Sequence, residues 1–198
     1  SGANSFAAAI DNGTSTYGAT GANSIAIGYR AKSTAADDVA IGDTALASGG
    51  GSLSLGRSGV ASGSYSTAIG NDNIASGGWS SAFGSYAEST ATGAVSISTE
   101  NSGYKTQATA NNAVAIGSRA LSAIRGKLAY AGGAFAANGD AQGGQFILRA
   151  DTTDATATVL TTNNGTAAAN NQIVAASDTC IMFSGTLVAM QNGAQDQG

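Results

Sequence analysis

The sequence has no histidine, no proline and a single cysteine, and only 10% of its 198 residues are charged. Each shortage removes a class of chemistry. Without histidine there is no Ser-His-Asp or Cys-His machinery and no imidazole ligand for zinc. One cysteine, Cys180, cannot close an intrachain disulfide; set in the apolar run Cys180 to Phe183, it is expected to be a small buried hydrophobe. Eight basic against twelve acidic residues leave a net charge of -4. With no basic cluster, the phosphate neutralisation that nucleic-acid binding requires is not provided for. No apolar run reaches the roughly 18 residues of a membrane-spanning helix, and Ser1 to Phe6 lacks the charged and apolar regions of a signal peptide.

What the chain has in quantity is small. Glycine occurs 29 times, and about half of the 42% apolar share is alanine. A core of methyl groups buries little area, and burial contributes only about 25 cal/mol per Å². Such a chain needs an organising principle other than a bulky core.

That principle is a repeat. An apolar-small-apolar-Gly tetrad recurs every 14 residues as Ile25-Ala26-Ile27-Gly28, Val39-Ala40-Ile41-Gly42, Leu53-Ser54-Leu55-Gly56, Thr67-Ala68-Ile69-Gly70 and Ser81-Ala82-Phe83-Gly84. Val95-Ser96-Ile97-Ser98 keeps the spacing without the glycine, and Val114-Ala115-Ile116-Gly117 follows after 19 residues, an insertion around Gly103 to Asn112. Between tetrads runs a second track, with Ala47, Ala61 and Ala75 at one offset and Gly49, Gly63 and Gly77 at another. A period of 14 is too short for helix pairs or propeller blades and fits one turn of a parallel β-solenoid, with two strands of about four or five residues and two tight turns. The chain is therefore read as all-β.

Within a tetrad the flanking residues share one face and the middle one points the other way. Ile27, Ile41, Leu55, Ile69, Phe83, Ile97 and Ile116 are thus expected to stack as the apolar ladder of the repeat, either inside each coil or at a seam between chains. Gly28, Gly42, Gly56, Gly70, Gly84 and Gly117 are expected to supply left-handed turns, and proline is absent because every coil donates N–H groups to its neighbours. One such coil encloses too little to offset about 1–2 kcal/mol of backbone entropy per residue. Association of several chains, most simply three, is the expected remedy.

The repeats Asn23-Ser24-Ile25-Ala26-Ile27-Gly28 and Ala61-Ser62-Gly63 with Thr67-Ala68-Ile69-Gly70 resemble the head repeats of YadA-type trimeric autotransporter adhesins. The resemblance covers residues 14–117 and implies a left-handed parallel β-roll trimerised about a central axis. The heptad-rich stalk and membrane anchor of that family are missing from the sequence, and Ser98 with the insertion near Asn101 to Ala110 breaks the regularity, where a loop or bulge is expected.

Residues 1–13 read as a lead-in, 14–117 as the roll, 118–143 as an Ala/Gly-rich neck and 144–198 as a small antiparallel β module. In the neck, Leu121, Ile124 and Leu128 fall at helix-like spacing, and Arg119, Arg125 and Lys127 concentrate positive charge on what is taken as a solvated surface. Beyond it, Phe146-Ile147-Leu148, Thr156 to Thr162, Ile173-Val174, Cys180 to Phe183 and Gly185 to Met190 read as strands, with Asn163-Asn164-Gly165 as a turn and Gln191 to Gly198 as a polar tail. The stretch Gly139-Asp140-Ala141-Gln142 through Phe146 to Arg149, Thr152 to Thr156 and Val159-Leu160 resembles a module of bacteriophage tail fibres, spanning residues 139–191.

Candidate sites are few. Tyr65 and Trp79 share a repeat offset and should neighbour each other on stacked coils, offering either an aromatic surface for a receptor glycan or packing against an adjacent subunit. Glu88 and Glu100, the only glutamates, could approach on adjacent coils as a hydrolytic pair, but nothing else marks a cleft. Gly49-Gly50-Gly51 lacks the Lys-Ser/Thr of a P-loop, and no calcium-repeat aspartates recur. No catalytic residue, metal or cofactor is assigned, and the chain is read as a non-enzymatic structural protein. Two settings follow: a homotrimeric segment of a phage tail fibre, partnered by other tail proteins and a host receptor and located on the virion, or a bacterial surface adhesin binding matrix or glycans.

Overall fold

The computed structural model describes residues 1–8, 16–100, 104–152, 154, 156–174 and 181–188. The chain winds as a β-solenoid with two sheets. One has ten strands: Phe6–Ala8, Ile25–Ile27, Val39–Ile41, Leu53–Arg57, Thr67–Asn71, Ser81–Ser85, Val95–Thr99, Val114–Ser118, Leu128–Gly132 and Gly143–Gln145. The other has eight: Gly18–Ala19, Lys32–Ser33, Leu46–Ala47, Val60–Ala61, Ile74–Ala75, Ala87–Ser89, Thr106–Ala108 and Leu121–Ser122. Successive coils pair in parallel and in register. At strand spacings of about 4.8 Å the parallel stack is about 38 Å tall. The strands of the second sheet are only two or three residues long, shorter than the period suggested, because the corners take up much of each coil.

The interior between the sheets is built from side chains of one or two heavy atoms. Ala26, Ala40, Ser54, Ala68, Ala82, Ser96, Ala115 and Ala129 point inward from the first sheet, and Ser33, Ala47, Ala61, Ala75, Ser89, Ala108 and Ser122 from the second; all are fully buried. The alanines of the second sequence track thus line the inner face of the second sheet. Bulky apolar residues lie outside. Register pairing stacks Ile27 on Ile41, Leu55, Ile69, Phe83, Ile97 and Ile116, and then Tyr130. Leu55, Ile97 and Ile116 are exposed and the other ladder members up to Ile116 half-buried. The ladder therefore forms but is not the interior of the coil. The pleat sends it outward, because the gap between the sheets admits only a methyl or hydroxymethyl group.

Buried polar side chains replace apolar ones where the corners need hydrogen bonds. Asn73, fully buried, donates through Nδ2 to the carbonyls of Ile69 (2.7 Å) and Gly84 (2.9 Å) and accepts from the Ala87 N–H (2.8 Å). Asp38 accepts from the N–H groups of Ala35, Gly50 and Ser52 and from the Ser52 hydroxyl. Substituting Asn73→Leu strands three backbone groups in a dry interior, at about 1–3 kcal/mol for each unsatisfied group. Urea denaturation should show a loss of at least about 2 kcal/mol, with an unchanged slope.

The boundaries expected from sequence need correction. Phe6–Ala8, assigned to the lead-in, pairs in parallel with Ile25–Ile27 and belongs to the roll. The neck is not helical: Leu121–Ser122 pairs with Thr106–Ala108, and Leu128–Gly132 lies in register on Val114–Ser118. Leu128-Ala129-Tyr130 is a further tetrad whose glycine is replaced by Ala131, and this substitution hid it. No helix occurs among the described residues. Across the insertion the stack keeps its register, with Val95–Thr99 pairing with Val114–Ser118 and Ala87–Ser89 with Thr106–Ala108.

At its C-terminal end the roll is capped. Gly143–Gln145 turns back antiparallel on Leu128–Gly132. The Gln142 side-chain amide accepts from the Leu121 N–H (2.8 Å) and donates to its carbonyl (2.9 Å), closing the edge of the second sheet. The antiparallel module expected over 144–198 does not form a sheet among the described residues. Among the described residues beyond Gln145 only an isolated bridge, Arg149 to Thr161, forms. Ile147, Met182, Phe183, Leu187 and Val188 are at least 80% exposed, so these apolar segments are not packed against the other described residues. Asn163-Asn164-Gly165 does turn, with Asn164 at φ 56°. Cys180, Thr14, the Asn101–Gly103 part of the insertion, the end of the Gly185 to Met190 segment and the 191–198 tail lie outside the described residues.

Candidate contact surface

Two features dominate the outside of the roll, its corners and its apolar ladders. Each coil turns one corner through a left-handed residue at the same offset: Asn4, Asn23, Asp37, Gly51, Tyr65, Trp79, Gly93, Asn112 and Gly126, with φ between 53° and 68°. Asn, Asp and Gly are the residues that reach this region at low cost; a bulky side chain adds about 1–2 kcal/mol. Tyr65 and Trp79 are the exceptions. Their rings stack with centroids 6.1 Å apart and planes 12° from parallel, and they remain 64% and 65% exposed. The sequence offset brought this pair together as expected. Beneath Tyr65 lies Gly51, where a Cβ would meet the ring at 2.8 Å.

The glutamates behave differently. Glu88 binds Lys105 (3.1 Å) and the Gln107 amide (2.9 Å) on the outer face of the second sheet. Glu100, at the end of the first-sheet strand Val95–Thr99, accepts from the Ser118 hydroxyl. The structure thus gives each carboxylate its own partners and does not assemble them as a pair. Among the described residues no group of three ligating side chains gathers.

The positive residues of the supposed neck hold local structure. Arg119 lies 4.0 Å over the Tyr104 ring and donates to the Ala136 carbonyl (2.8 Å) and to Asn138. Next to it, Asp140 accepts from the N–H groups of Phe135, Ala136 and Ala137, a cap that sequence reasoning missed. The N–H groups of Ala136 and Ala137, helped by that of Phe135 and by the Arg119 charge, outweigh an opposing desolvation and hold its carboxyl below the usual range. A lowered folded-state value means the stabilisation is complete above the usual 3.8 and is lost as pH falls below it through the folded value. Amide protection at Phe135 to Ala137 should therefore drop on acidification, and Asp140→Asn should abolish that pH dependence. Protection that does not change with pH in the parent chain would contradict the cap.

The larger contact features are the ladders. On the first sheet a second outward column, Ile25, Val39, Leu53, Thr67, Ser81, Val95, Val114 and Leu128, runs beside the Ile27 to Ile116 ladder. On the opposite sheet Leu46, Val60 and Ile74 stack as a shorter apolar ladder. The glycines at the ends of the tetrads allow close stacking. Gly28, Gly42, Gly56, Gly70, Gly84 and Gly117 have φ between 98° and 136°, and a Cβ on any of them would lie 1.8–2.4 Å from the carbonyl oxygen of the following coil.

Residues 19–45, 47–73, 61–87 and 102–120 match a family model described as the YadA head domain repeat (2 copies). No curated protein and no solved structure matches the chain. A β-solenoid of such repeats is typical of extracellular, non-enzymatic adhesins. The in-register 14-residue coils, their small interior and their outward ladder agree with this match: the chain carries YadA head domain repeats within residues 19–120, repeats of the kind that build adhesin-like structural or attachment proteins.

Proposed function

We propose that the chain is a segment of a homotrimeric attachment rod whose three rolls share a seam formed by the Ile27 to Ile116 ladder. The observation that carries this reading is the distribution of apolar bulk. Among the described residues every buried apolar side chain is alanine, beside small buried polar ones, while a continuous ladder of Ile, Leu and Phe faces outward. Burial of such side chains contributes about 1.5–3 kcal/mol each, which association would recover. The rod displays receptor contacts in three copies, so weak individual contacts add by multivalency.

The setting that fits the head repeats is the bacterial surface, where such a head binds host matrix or glycans. A second reading, a phage tail fibre joined to other tail proteins and presented on the virion, is favoured by one observation. The roll runs into an antiparallel return and then a helix-free described segment with exposed apolar residues, where an autotransporter head would enter a coiled coil. Immunogold labelling with an antibody to the roll tests both. Label on the bacterial surface supports the first reading and label on tail fibres the second. Label confined to the cell interior would contradict attachment in either setting.

A further inference from the structure

The geometry points to a neutral-pyranose subsite on the free face of Trp79, above Gly93. This inference rests on the attachment reading and names the ligand class for it. The two aromatic rings lean the same way along the rod. Tyr65 covers Gly51, where a Cβ would touch its ring at 2.8 and 2.9 Å, and Trp79 stacks on Tyr65 at 6.1 Å. The next corner is Gly93, which has no side chain, and no Trp79 atom is among the three nearest to a Cβ built there. The nearest atom, at 3.3 Å, is Oδ1 of Asn112, from the coil beyond.

The corner therefore presents an indole face backed by a second ring, then a position emptied by glycine, then an exposed amide without a partner among the described residues. Two strand spacings, about 9.6 Å, separate the Trp79 and Asn112 corners. That leaves room for one flat ring stacked on indole with its hydroxyls towards the amide. Aromatic faces combine an apolar surface with a fixed orientation, which suits the C–H face of a sugar. The same corner column carries Asn4, Asn23, Asp37 and Asn112 but no Lys or Arg, so an anionic sugar has no counter-charge there. The ligand class is neutral hexose or N-acetylhexosamine.

Trp79 is the only tryptophan beside six tyrosines, so fluorescence excited beyond the tyrosine absorption reports on this site alone. The assembled chain is titrated with chitotetraose, cellotetraose and maltotetraose, with sialyllactose as the anionic control. At least one neutral tetrasaccharide should change the emission saturably, and sialyllactose should not. Gly93→Asn should weaken that binding at least tenfold, because it fills the slot with a residue that the same offset already accepts at Asn23 and Asn112. Asn112→Ala should weaken it severalfold. No response to any neutral tetrasaccharide, or unchanged affinity in Gly93→Asn, overturns the assignment. So does emission that is blue-shifted and shielded from acrylamide before any sugar is added, which would place the rings against another subunit. Light scattering on the same samples separates the two readings: binding by a folded monomer would remove the trimer and keep the subsite, and a trimer without binding would do the reverse.

Discussion

Gly70→Val is expected to cost about 4 kcal/mol and to lower the melting temperature of the roll by roughly 8–16 °C. Two effects combine. Gly70 sits at φ 124°, a region that side chains rarely adopt, at about 1–3 kcal/mol. Its Cβ would also lie 1.8 Å from the Gly84 carbonyl oxygen and 3.0 Å from Asn73 Nδ2. Neither neighbour can yield cheaply, since Gly84 is in the adjacent strand of the ladder and Asn73 is fixed by three hydrogen bonds. Overpacking of that kind adds about 1–3 kcal/mol. Gly50→Asn is the contrast. Gly50 also has positive φ, at 83°, but nothing lies within 4 Å of its Cβ position, so the loss should stay below about 1 kcal/mol. Thermal melts followed by far-ultraviolet circular dichroism compare the two. Equal losses would show that only backbone conformation matters and that the close stacking of coils does not.

Ile69→Asp and Ala68→Leu should fail in opposite ways, although they are adjacent. Ile69 belongs to the outward ladder, so a charge there should leave the coil folded and break association. In a trimer the change removes three buried side chains worth about 1.5–3 kcal/mol each, so the association constant should fall at least about a thousandfold. Ala68 faces the fully buried gap between the sheets, and a leucine there should destabilise the coil itself by about 1–3 kcal/mol or more. Size-exclusion chromatography with circular dichroism distinguishes the outcomes. An Ile69→Asp chain that remains fully associated would mean the ladder is not the seam.

Much of this was legible in the sequence because a parallel solenoid writes its register into a fixed period. The 14-residue offset alone paired Ile41 with Leu55 and Tyr65 with Trp79, and it gave Ala47, Ala61 and Ala75 one shared environment. The direction of the faces was not legible, because period-2 alternation shows which residues share a side but not which side is inside. The size of the side chains decides that, since the coil is too thin to admit isoleucine. The last coil was missed because Ala131 stands where the tetrad has glycine. The distal strands were misassigned because alternation and β-branched residues state what a segment could pair with, and among the described residues no strand pairs with Phe146-Ile147-Leu148 or Ile173-Val174. The Asn, Asp and Gly residues at the Tyr65 offset were a readable signal of a left-handed corner, since those residues reach positive φ most cheaply.

If the outward ladder is a seam shared by three chains, multi-angle light scattering on the purified chain in solution should return three times the 19.1 kDa chain mass, persisting on dilution into the low micromolar range. A folded, β-rich species of a single chain mass would contradict it.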